Sequence, residues 1–132
     1  MMKDLLRGEN GISLVEFALI LPLFLLLLFG MVDLGQGFTT YIGMLNATRE
    51  GAIWLAKQPA DIAGMNARIA REIEHVGLTT DAIVITRTPE KASYMAGDLL
   101  TITLEYRYQL LFGAITGMPT ITLHTAHTIR IQ

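Results

Sequence analysis

The sequence predicts an α+β protein built on one long N-terminal helix, and three observations predict it. Residues 17–32 carry no charge, and twelve of these sixteen are Leu, Ile, Phe or Val. Residues 33–76 place apolar side chains three and four apart, the period of helices that cover a core. From Ala82 onward the apolar positions alternate, the period of half-buried strands. The expected organisation is a cytoplasmic leader over 1–11, a transmembrane helix over 12–32, its amphipathic continuation over 33–57, and a small extracytoplasmic domain over 58–132. That domain should hold a second helix and a three-stranded antiparallel sheet.

The apolar run supplies the anchor. Leu, Ile, Phe and Val each contribute about −0.3 to −0.6 kcal/mol at a helix centre, so the run sums to roughly −4 to −7 kcal/mol in favour of insertion. Sixteen helical residues rise about 24 Å, short of the ~30 Å hydrocarbon core. Adding residues 12–15 extends the span to about 32 Å and draws Glu16 into it. A carboxylate there is costly and marks a functional site whose partner must be named.

A cut between Gly11 and Ile12 would create that partner. The new α-amine would be a cation with a pKa of about 7.7–8.0. Glu16 would become the fifth residue of the shortened chain, followed by Phe17. The macrodipole favours an anion in that first turn. Between neighbouring helices, amine and carboxylate would pair in a low-dielectric setting and fix register. An uncut signal anchor that happens to carry a glutamate is the alternative. A cleaved secretory signal fits poorly, because the run exceeds the usual apolar length and ends in Gly30-Met31-Val32-Asp33-Leu34-Gly35 rather than a small-residue site. Lys3 and Arg7 precede the run and the next basic residue is Arg49, which places the N-terminus in the cytoplasm and the remainder outside. Pro22 removes one helical hydrogen bond, which transmembrane helices tolerate.

Beyond Val32, the residues Leu34, Phe38, Tyr41, Leu45, Thr48, Ala52 and Leu55 form one helical stripe, expected to cover the sheet. Gln36, Thr39, Thr40, Asn46, Arg49 and Lys57 lie off it. Gly35, Gly37 and Gly43 each lower helix propensity by up to about 1 kcal/mol, so packing must hold this half. Gln58-Pro59 breaks the helix. A second amphipathic helix fits 60–76, with Ile62, Met65, Ile69, Ile73 and Val76 on one face and Gly77 as its stop. Strands are expected over 82–88, 99–109 and 120–131. Leu100, Ile102, Leu104, Tyr106 and Tyr108 share one face, as do Ile121, Leu123, Thr125, His127, Ile129 and Ile131. A loop over 89–98 and an apolar, glycine-bearing connection over 110–119 join them. Three strands with one greasy face need a cover, which the two helices supply.

Composition narrows the chemistry. Ten basic and twelve acidic residues give a formal charge of −2, which disfavours a nucleic-acid partner. Cysteine is absent, so disulfides and thiolate metal sites are excluded. His124 and His127 would face opposite sides of a strand, which argues against a shared metal. His75 suits a helix C-terminus, Asp33 an outer membrane interface, and Arg49-Glu50 a solvated pair. No catalytic constellation and no cofactor site stands out.

The stretch RGENGISLVEFALILPLFLLLLFG (7–30) resembles the start of TadE-like proteins, minor pilins or pseudopilins of the tight-adherence (Tad) pilus system. The similarity continues in Gly30-Met31-Val32-Asp33-Leu34-Gly35-Gln36, where the family often has Glu at position 33 and Arg at 36, and in Ala47-Thr48-Arg49-Glu50-Gly51-Ala52. A weaker echo lies in Gly97-Asp98 and the Thr/His-rich last strand. The resemblance implies cleavage after Gly11 by a prepilin peptidase, an aspartic protease of the membrane. It also implies a non-enzymatic role in building a thin adhesive pilus with other pilin-like subunits and the assembly machinery. Its leader lacks the dense basic run usual there. The expected location is the bacterial inner membrane, single-pass and in contact with lipid. The alternative function is an uncleaved, signal-anchored scaffold or binding protein.

Overall fold

The structure is a computed structural model, and it describes residues 9–113 and 117–132, without the side chains of residues 9 and 10. The leader residues 1–8, with Lys3 and Arg7, and the middle of the 110–119 connection lie outside the described residues. The elements are α1 (Glu9–Lys57), α2 (Ile62–His75), a single 3-10 turn (Thr80–Ala82), β1 (Ile83–Thr88), β2 (Leu99–Gln109) and β3 (Thr120–Arg130). This is the expected α+β arrangement, with boundaries within two residues of those expected for α2 and the strands.

α1 is one uninterrupted helix of 49 residues, continuing through Pro22. It is long and apolar enough to cross a membrane. Its two halves live in different surroundings. Residues 11–25 are all exposed, whereas Met44, Ala47, Thr48, Ala52 and Leu55 have no accessible surface.

The strands form an antiparallel meander in the order β1-β2-β3. Ile85 stands opposite Leu104, and Leu104 opposite Thr125, so the alternating positions of all three strands meet on one face. Leu100, Ile102 and Leu104 are fully buried there, joined by Ile83 and Ile131. α1 lies across β2 and β3, and α2 packs along α1, contributing Met65, Ile69 and Ile73 to the same core.

The ends of α2 follow local chemistry. Asp61 is its N-cap, accepting from the Gly64 N–H at 2.8 Å while also accepting from Trp54 Nε1 at 3.0 Å. One carboxylate therefore caps the helix and ties it to α1. At the other end Gly77 adopts φ +77°. Its N–H reaches the Glu74 carbonyl, and the Leu78 N–H reaches that of Ile73, the paired bonds of a Schellman stop. The two helices touch at glycines of α1. A Cβ on Gly51 would stand 2.7 Å from Ile69 Cδ1, and one on Gly43 would run into Val76.

The expected covering stripe needs correction in its first half. Leu34 is 77% exposed, Phe38 66% and Tyr41 38%. Leu45 is only half-buried, and Thr48, Ala52 and Leu55 are buried as expected. The face turned inward instead runs through Asp33, Gly37, Thr40, Met44, Ala47 and Thr48. Small side chains let the helix approach the sheet closely, and their polar groups find partners. Thr48 Oγ1 donates to the Met44 carbonyl at 2.6 Å and lies 2.9 Å from Thr125 Oγ1. Having one hydroxyl hydrogen, Thr48 must accept from Thr125, so both buried hydroxyls are satisfied.

Candidate functional site

Two regions of α1 concentrate the chemistry. The first is its N-terminal stretch. Because α1 begins at Glu9, the Gly11–Ile12 bond lies in its first turn. Ile12 is 66% exposed and Phe17 62%, and Gly11 and Glu16 are exposed as well. Among the described residues, no other element of the chain covers them. The four residues singled out from the sequence thus share one open stretch, with a single carboxylate in a surface otherwise dominated by apolar side chains.

The second region is the point where the apolar run ends. Asp33 is only 2% exposed. Its carboxylate accepts from the backbone N–H of Leu111 at 2.9 Å and of Phe112 at 3.2 Å. The expectation of an interfacial anion therefore gives way to a buried acceptor that ties the β2–β3 connection to α1. Two directed donors offset the desolvation that such a carboxylate would otherwise suffer. One turn on, Gly37 lets the Tyr108 ring approach, and Tyr108 Oη donates to Gln36 Oε1 at a long 3.4 Å. Burial raises the pKa of the Tyr108 phenol, and the negative charge of Asp33 adds to that rise, with Tyr106 a smaller contributor. Beside this cluster lies an apolar groove of about 300 Å³, lined by Leu34, Phe38, Tyr41, Phe112 and Ile121 among others.

Sequence reasoning missed this cluster. No local pattern signals it, because the backbone donors lie 78 and 79 positions from Asp33.

The remaining candidates are dispersed. His124 Nε2 stands 4.0 Å from Glu105 Oε1 on the exposed face of the sheet. His127 is half-buried on the other face, beside Asn46 and Arg49 of α1. His75 ends α2 and is exposed. Glu50 pairs across to Arg68 of α2 at 3.8 Å, and the Arg68 guanidinium sits 4.1 Å over the Trp54 ring. That pair bridges the two helices. Among the described residues, no three His, Cys, Asp or Glu side chains come together in a way that could hold a metal.

Residues 11–52 match the family model described as TadE-like protein. This segment is TadE-like. The match begins at Gly11, includes Glu16 and Asp33, and ends where Gly51 and Ala52 enter the core. The TadE-like stretch is therefore α1 itself, from its exposed end to its packing against α2 and the sheet. No curated protein and no solved structure is matched by this chain. The matched segment lies on a helix long and apolar enough to cross a membrane.

Proposed function

We propose that this chain is a minor pilin or pseudopilin of a Tad-type adhesive pilus, cut after Gly11 by a prepilin peptidase and drawn into a filament through its N-terminal helix. The observation that carries this reading is the division of α1 within its TadE-like segment. Residues 44–55 complete a core inside the chain, whereas residues 11–25 are left without cover. A finished head on an unfinished helix is what a subunit needs if its remaining contacts are made with lipid first and with other pilin-like subunits later.

In this reading residues 12–32 hold the subunit in the inner membrane, with the leader in the cytoplasm and the head outside. Cleavage exposes the amine of Ile12. Glu16 pairs with the corresponding amine of a neighbouring subunit, and Phe17 packs beside that pair. Low dielectric strengthens such a pair and penalises either partner left alone. Assembly would thereby be favoured only among chains that have been cut.

The test is intact-mass measurement of the membrane fraction after co-expression with a prepilin peptidase. Loss of residues 1–11 is expected, and Gly11→Leu should prevent it. Retention of Met1 despite an active peptidase would leave the uncut signal-anchored scaffold as the function. Glu16→Gln should be cut normally yet fail to co-purify with partner pilins, since stranding one member of a buried pair costs about 3–5 kcal/mol. Equal recovery of both forms, with normal piliation, would remove the pairing role.

A further inference from the structure

The connection between β2 and β3 is the feature that assembly through α1 leaves unused. Residues 110–119 read LLFGAITGMP, with no charge among them. Leu111 is 61% exposed and Met118 64%, unusual for large apolar side chains so near one another. The start of the connection is also fixed in position along α1. The Leu111 and Phe112 N–H groups are held by Asp33. The Phe112 ring reaches back to Gly30, its Cε1 lying 4.0 Å from where a Cβ on that glycine would stand. Gly30 belongs to the charge-free run of residues 17–32. Phe112 therefore sits beside the end of that charge-free run, not at the far pole of the domain.

We propose that the described ends of this connection, residues 110–113 and 117–119, form a second membrane contact, in which Leu111, Phe112 and Met118 enter the outer leaflet beside α1 and seat the head on the bilayer. The proposal rests on the anchored reading given above. The occupant is lipid because the patch continues the apolar surface of the spanning helix. Leu34, Phe38 and Ile121 extend it on the same side, all of them exposed around the groove. Backbone can enter hydrocarbon only when its polar groups are satisfied, since each orphan costs several kcal/mol. Asp33 meets that condition for two successive N–H groups, and this gives a physical reason for a buried carboxylate at the membrane end of the head.

The chain has no cysteine, so single cysteines can be labelled cleanly. Leu111→Cys and Met118→Cys would each carry an environment-sensitive fluorophore on the full chain in phosphatidylcholine–phosphatidylglycerol vesicles containing shallow spin-labelled quencher lipids. Leu23→Cys serves as the control within the span. Ala92→Cys serves as the control in the loop at the opposite end of β2. Quenching at 111 and 118 several-fold above that at 92 is expected. Adding Asp33→Asn should diminish quenching at 111 while leaving 23 unchanged. Quenching at 23 but not at 111 or 118 would overturn the proposal and spare the anchored reading. Shielding of 111 from both lipid and aqueous quenchers would reveal a protein partner there and overturn it equally. An unquenched label at 23 would mean the anchored reading fails and the proposal with it. Undiminished quenching at 111 in the Asp33→Asn chain would overturn the part assigned to the carboxylate.

Discussion

Replacing Asp33 by alanine should destabilise the head domain although the residue lies outside its apolar core. The carboxylate accepts two backbone hydrogen bonds, at 2.9 and 3.2 Å, and is 2% exposed. Alanine removes both acceptors and strands both donors. An unsatisfied buried donor costs about 1–3 kcal/mol, so the pair sets a loss of roughly 2–6 kcal/mol. Asp33→Asn keeps one oxygen but turns an N–H toward a donor, so it should lose about half as much. Asp33→Glu retains the charge and both acceptors and should stay nearest the parent chain. Urea unfolding of the detergent-solubilised full chain can follow this transition, because the single Trp54 reports the contact between α1 and α2. A second readout separates electrostatics from folding. Removing the Asp33 charge should lower the Tyr108 pKa, yet leave it above 10.0 because burial, the larger cause, persists. An alanine variant within about 0.5 kcal/mol of the parent, the range of ordinary surface changes, would refute the tie between connection and helix.

Other perturbations probe the rest of the fold. Leu104→Ala empties a fully buried position at the centre of the sheet and should cost about 2–5 kcal/mol in the same unfolding assay. Thr48→Val strands the Thr125 hydroxyl and should cost about 1–3 kcal/mol. The Thr48→Val, Thr125→Val double variant should recover most of that loss, because removing both partners is far cheaper than removing one. The Asp98 carboxyl is held below its ordinary 3.8 by its hydrogen bond from Lys91 and then by the Met95 N–H. Its folded pKa is depressed, so its contribution is present above 3.8 and is lost as pH falls through the folded value. Melting temperature followed from pH 6 to pH 3, on the ~1-unit scale over which carboxyl groups titrate, should fall more steeply for the parent than for Asp98→Asn. Parallel curves would show that the 2.8 Å contact with Lys91 adds nothing to stability.

How much of this was visible in the sequence depended on the kind of signal. α2 was legible because Met65, Ile69 and Ile73 recur at helical spacing ahead of a stopping Gly77; its cap, Asp61, emerged only from the structure. The strands were legible because alternation puts Leu100, Ile102 and Leu104 on one side whatever covers them. The orientation of the middle of α1 was not. A hydrophobic stripe picks out Leu34, Phe38 and Tyr41, but close packing against a sheet favours small residues, and Gly37 and Thr48 meet Tyr108 and Thr125 of the sheet here. The larger apolar residues are left facing outward at the level where the span ends. The role of Asp33 was hidden for a different reason. Its partners are backbone donors 78 and 79 positions away, and no local pattern records a contact of that range. Gly11 and Glu16, by contrast, were conspicuous because a carboxylate in an apolar run has no structural excuse.

The continuity of α1 also has a rotational consequence. Glu16 and Met44 stand on the same unbroken helix, so the direction in which one points dictates that of the other. On a regular helix the intervening residues make about 7.8 turns and a rise of about 42 Å. The head's sheet therefore faces about 80° away from the azimuth of Glu16. Any neighbour that engages Glu16 would set the compass bearing of the head as well as its height, with no contact between heads required. Inserting one residue between Phe29 and Gly30 would turn every head by about 100° relative to its own carboxylate while leaving both halves chemically intact.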